Sequence, residues 1–174
     1  MTLGPVLDAA SLKNREHLPP YVQRLLEGLL PVLARLDKAK LNAKSSVEVK
    51  NEQRGWMLEL QIDAADPDIP GVSLTASREQ CIVGFAESEQ IECHSDPEAA
   101  RDLVPMALAA ITAYLNGITI RAHYNKNDRL VKKEFFFGIE GTDAAQRPMG
   151  VASYPLVFPK RIARSMTKTY RFFR

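Results

Sequence analysis

Apolar residues change their spacing repeatedly along this chain, and each change predicts a new element. Between Tyr21 and Leu41, the residues Val22, Leu25, Leu26, Leu29, Leu33 and Leu36 recur at helical intervals, with Arg24, Glu27, Arg35 and Lys38 off the stripe. Pro19 and Pro20 set φ for the start of this first helix. Gly28 and Pro31 fall inside it; Pro31 lacks an N–H and crowds the preceding turn, which predicts a kink or a break. From Ser45 the period becomes two. Val47 and Val49 alternate with Glu48 and Lys50, and after NEQRG the residues Trp56, Leu58, Leu60 and Ile62 alternate with Met57, Glu59, Gln61 and Asp63. This predicts a hairpin with one wet face, its apolar face set against Leu25, Leu29 and Leu33.

The stretch AADPDIPG reads as a loop, followed by a short strand VSLTAS and two more strands, QCIVGFA and QIECH. A loop at Glu87, Ser88 and Glu89 would set Phe85 opposite Ile91 and Val83 opposite Cys93, whereas a one-residue slip would set Phe85 against polar residues. A second helix is expected from Ser95, where Ser95 and Glu98 have capping-box spacing, to Asn116 and Gly117, with Pro105 dividing it near Val104. A second hairpin follows. Ile118, Ile120, Ala122 and Tyr124 alternate, Asn127 and Asp128 turn the chain, and Leu130 to Phe137 returns. Its register sets Ile118 opposite Phe137, Ile120 opposite Phe135, Tyr124 opposite Val131 and, on the other face, Arg121 opposite Glu134.

The resulting order is helix, about five strands, helix, two strands, arm and tail. Short connections favour antiparallel pairing, and each helix has one apolar stripe. The expected fold class is α+β: a two-layer domain with a mostly antiparallel sheet of six to seven strands and two main helices on one face. The boundaries are an N-terminal arm over 1–18, the domain over 19–138, an irregular Gly- and Pro-bearing arm over 139–158, and a basic aromatic tail over 159–174.

Composition adds little until the tail. The chain has 174 residues, 45% hydrophobic and 25% charged, which fits one globular domain. Two cysteines make no disulfide framework, no stretch is long and apolar enough for a transmembrane helix, and the N-terminus lacks a signal-peptide pattern, so a cytoplasmic location is expected. The net charge of +2 hides a division. From Pro159 to Arg174 there are six cations and no acid, with Tyr170, Phe172 and Phe173 between them, against 17 cations and 21 acids in the rest. Such a segment should lie on its own domain, on a partner protein, or on a polyanion.

Motifs for dinucleotides, nucleotide phosphates, catalytic or structural zinc and serine hydrolysis are absent from the sequence. Cys81 and Cys93 are expected diagonally offset by roughly 7–8 Å, too far for a disulfide and better read as buried thiols. His94 points to the opposite face from Cys93, and His17 has no foreseeable partner, so no metal or cofactor is expected. The outer face of the last hairpin carries Arg121, His123, Lys132, Glu134 and Phe136. It reads either as a solvated face with an Arg121–Glu134 pair or as a recognition surface on which His123, Lys132 and Arg121 concentrate positive potential beside an exposed Phe136.

With Arg161, Arg164, Lys168, Tyr170, Phe172 and Phe173 of the tail, these residues form the candidate partner-binding set. The element order is similar, at the level of fold alone, to that of toxin-neutralising immunity proteins and secretion chaperones. The expectation is a non-enzymatic protein-binding module of that kind. The alternatives are a nucleic-acid-associated protein using the tail, where cations and aromatics suit phosphate contact and base stacking, or a small-ligand or hydrolytic domain with a pocket between sheet and helices.

Overall fold

The computed structural model describes residues 7, 12–53, 55–85, 89–93, 97–98, 100–137, 150–153 and 162–173, without the side chains of 89–93 and 150–153. Helix α1 spans Pro20–Ala34 with proline at its first position, where the missing N–H costs nothing. It runs unbroken through Pro31. The lost backbone bond is outweighed by burial of Leu25, Leu29, Val32 and Leu33 on either side of the proline.

Strands β1 (Ser46–Glu52), β2 (Gly55–Ile62), β3 (Val72–Ala76), β4 (Cys81–Phe85) and β5 (Glu89–Cys93) form an antiparallel meander in chain order. Pairing of Val47 with Leu60 and Val49 with Leu58 sets β1 and β2 as their alternation requires. Leu58, Leu60, Ile62, Val72, Leu74, Ala76, Cys81, Val83 and Phe85 are all buried. Helix α1 packs on β2 and helix α2 (Leu103–Asn116) on β4, and the two helices touch each other. Gly28 permits that approach: a Cβ there would stand 2.3 Å from Leu108 Cδ1.

Two expectations are corrected in this region. The register between β4 and β5 places Val83 opposite Ile91, Cys81 opposite Cys93 and Phe85 opposite Glu89. It is displaced by two residues, which sets Cys81 and Cys93 directly opposite rather than diagonally offset, because period-two patterning fixes which face a residue takes but not how many residues the turn consumes. The predicted turn residues Glu87 and Ser88, with His94 and Ser95, lie outside the described residues. Helix α2 also starts at Leu103 rather than at Ser95. Glu98 is exposed in a turn, and its carboxylate accepts instead from the Tyr21 amide at 2.8 Å and from Arg24 at 3.1 Å, at the start of α1. Pro105 then occupies the first turn of α2, where it divides nothing.

Strands β6 (Ile118–Tyr124) and β7 (Leu130–Phe137) form the second hairpin, with Ile118 opposite Phe137, Ile120 opposite Phe135 and Arg121 opposite Glu134 as expected. A bulge after His123 pairs Tyr124 with Leu130 rather than Val131. Asn125 organises the turn by accepting from the Asn127 and Arg129 amides with its side chain, and Asp128 takes a left-handed φ of 56°. This hairpin does not continue the first sheet. It is the centre of a second antiparallel sheet, ordered β8-β7-β6-β9, to which the arm contributes β8 (Gly150–Ser153) and the tail β9 (Arg164–Tyr170). The class is thus α+β, but with nine described strands divided between two sheets instead of a single sheet. The sheets share one core: Phe85 of β4 meets Phe137 of β7 at 4.9 Å between ring centres, and both meet Tyr114 of α2.

Candidate interaction surface

Period-two alternation in β9 sends Arg164, Met166, Lys168 and Tyr170 to one face of the second sheet and Ser165, Thr167 and Thr169 to the other. Pairing with β6 sets Ser165 opposite His123 and Thr169 opposite Thr119. On that outer face the His123 ring lies 2.7 Å from both Ser165 Oγ, through Nδ1, and Glu134 Oε2, through Nε2. Lys132 Nζ donates to the other Glu134 oxygen at 2.6 Å. The Lys132 hydrogen bond, reinforced by His123, holds the Glu134 carboxyl below the usual carboxylate range.

A hydroxyl, an imidazole and a carboxylate in this order are the groups that activate a serine nucleophile. Lys132, however, draws on the negative charge that would stabilise an imidazolium. The arrangement is a clasp joining β6, β7 and β9. It replaces two expectations for this face. Glu134 neutralises the positive cluster rather than pairing with Arg121, whose guanidinium lies over the Phe136 ring at 4.9 Å. Phe136 is buried, not exposed. Arg121 covers one face of that ring.

The tail docks on its own domain. Phe172 is fully buried beside Tyr114 and Tyr170, and its backbone donates to the Leu115 carbonyl and accepts from the Asp37 amide. Lys40 Nζ donates to the Phe173 carbonyl at 2.8 Å, Arg35 covers the Phe173 ring, and Leu36 bridges to Phe173. The Tyr170 hydroxyl donates to the Lys40 carbonyl at 2.6 Å, and burial raises its pKa.

Two tail cations find acids of the same chain. Lys168 pairs with Asp66, in the loop between β2 and β3, while Arg164 donates to Asp128 at 2.8 Å and lies over the Tyr124 ring. The Lys168 hydrogen bond keeps the Asp66 carboxyl low, helped by the Asp68 amide. Arg161 lies outside the described residues.

Of the candidate set, Phe136 and Phe172 are therefore spent inside the chain, and His123 and Glu134 are engaged in the clasp. Arg164 and Lys168 remain on a surface, along an edge. Strand β9 borders the second sheet, every residue from 164 to 169 is exposed, and Met166 and the adjacent Ile162 are 54% and 52% accessible. Sequence reasoning left out Ile162, Ser165, Met166 and Thr167. The signal was the hydroxyl residue at every second position from Ser165 to Thr169, a strand pattern overshadowed by the charges.

Away from this edge, a cavity of about 690 Å³ opens at the start of α1. It is lined by Pro19, Pro20, Gly55, Arg78 and Glu98 among others, and by His17 and Trp56, whose rings stack at 4.8 Å. Among the described residues no group of three or more His, Cys, Asp or Glu side chains could hold a metal ion, and no helix is long and apolar enough to cross a membrane. No protein-family model, curated protein or solved structure matches the chain.

Proposed function

We propose that this chain is a cytoplasmic, non-enzymatic protein-binding module, immunity-like or chaperone-like in role, which takes up an extended segment of a partner along β9. The carrying observation is that β9 ends the second sheet, with no strand paired beyond it among the described residues. A border strand presents unpaired N–H and C=O groups at the spacing another strand requires, and strand addition is a recurrent mode of peptide recognition. The strand carries no proline, and its side chains from Arg164 to Thr169 are exposed. Ile162 and Met166 add apolar area where a partner strand would lie. The engagement of Lys168 by Asp66 and of Arg164 by Asp128 favours a protein partner over a nucleic acid, because cations already paired release fewer counterions from a polyanion.

The test is affinity capture on the purified chain, with and without nuclease, beside a Met166→Lys variant. The expected result is a protein retained after nuclease and lost from the variant. Capture that disappears with nuclease and falls steeply with salt would replace this reading by the nucleic-acid one.

A further inference from the structure

The β9 sequence, Arg164-Ser-Met-Thr-Lys-Thr-Tyr170, is compatible with its own antiparallel copy in one register in particular. Centred on Thr167, that register sets Thr167 opposite Thr167, Met166 opposite Lys168, Ser165 opposite Thr169 and Arg164 opposite Tyr170. No cation faces a cation. A two-residue slip in either direction, the smallest that keeps the two sheet faces continuous, destroys this. One slip sets Arg164 against Lys168, and the other sets two Lys168 side chains against each other, both unfavourable for residues directly across a ladder. The strand holds no acid that could rescue either slip.

Other features point to the same occupant. Charge along a border is a common guard against self-pairing; here the exposed pairs of Lys168 with Asp66 and of Arg164 with Asp128 weaken that guard, while two cations set directly opposite each other still repel. Ile162 and Met166 are two of the three large apolar side chains exposed among the described residues, and both lie on or beside this strand.

We infer that β9 pairs with β9 of a second copy of this chain, antiparallel and centred on Thr167, so that the two four-stranded sheets become one continuous sheet about a two-fold axis. This rests on the strand-addition reading above and names the partner: the strand that best fits the border is the border itself.

Sedimentation velocity of the full chain over a concentration series tests it, with far-ultraviolet circular dichroism confirming that each variant is folded. The wild-type chain shows a concentration-dependent dimer. Met166→Lys places a cation opposite Lys168 of the second copy at two symmetric positions and weakens the dimer by roughly two- to thirtyfold. Met166→Glu places an acid there and strengthens it. Opposite signs are the signature of this register. A chain that stays monomeric into the millimolar range overturns the inference, and so does a dimer to which both variants do the same thing. A monomeric chain that still captures another protein, and loses it with Met166→Lys, sinks the self-pairing alone; a dimer with the expected signs that captures nothing sinks the broader reading alone.

Discussion

The two sheets are built from different chemistry. The first turns an uninterrupted apolar face toward the helices, from Leu58 and Leu60 on β2 through Leu74 on β3 to Val83 on β4, each at most 2% accessible. The second shares that core through Ile118, Ile120 and Phe137, with Phe135 and Tyr170 packed against it, and its opposite face carries the His123–Glu134–Lys132–Ser165 clasp and the Thr119–Thr169 contact. Burial is non-directional and tolerates small displacement, whereas the clasp works only when three strands are in register. The first sheet therefore supplies stability and the second supplies positional specificity at a border that faces outward.

This contrast can be broken by substitution. The largest effect is expected from Phe172→Ala, which empties a fully buried aromatic site between Tyr114 and Tyr170 and should cost about 3–5 kcal/mol in denaturant unfolding. It would show that the segment following β9 is fastened to the core by this ring. Leu60→Ala in the first sheet should cost about 2–5 kcal/mol. An unchanged midpoint would remove the claim that the first sheet is the stabilising one.

Glu134→Gln should cost about 1–3 kcal/mol at neutral pH, because it takes the charge from a carboxylate that serves both Lys132 and His123. Its pH dependence has a definite sign. The folded-state value of Glu134 is lowered from its ordinary 4.5, so its contribution is complete above that value and is lost as pH falls through the lower folded-state value. The gap between wild type and Glu134→Gln should therefore close in acid, while the cost of Leu60→Ala should not. The smallest effect belongs to the exposed pair on the other face: Lys168→Met should leave the unfolding midpoint unchanged within error.

The same contrast explains what was legible in the sequence. Where one residue class repeats at a fixed period, as from Leu58 to Ile62 or in the pairing of Ile118 with Phe137, faces and partners could be read directly, whereas Met57, expected on the wet face, is buried. The β4–β5 register could be read only to the correct face, since Val83 is apolar opposite Cys93 or opposite Ile91 alike. Glu98 illustrates a different limit. Its spacing from Ser95 suits a local cap, but the amide it accepts from is that of Tyr21, 77 residues away, and no local pattern contains that distance. Strand β9 stayed hidden because none of its residues from 164 to 169 is buried; it is a strand because β6 lies beside it. In the candidate surface, the exposed cations were legible, while the clasp needed the positions of three strands at once.

The separation between Lys40 and the Phe173 carbonyl it binds, 133 residues, has a kinetic consequence. Contacts between distant parts of a chain carry a large closure entropy and form slowly, whereas the meander from β1 to β5 closes through short turns. A refolding chain can therefore build its first sheet and helices while the seat of Phe172 still stands open, exposing Tyr114 to solvent. The single tryptophan, Trp56, stacked on His17 at the far end of that first sheet, would register the early event and miss the late one. Trp56 fluorescence should then recover ahead of the protection of the β6 and β9 amides from hydrogen exchange.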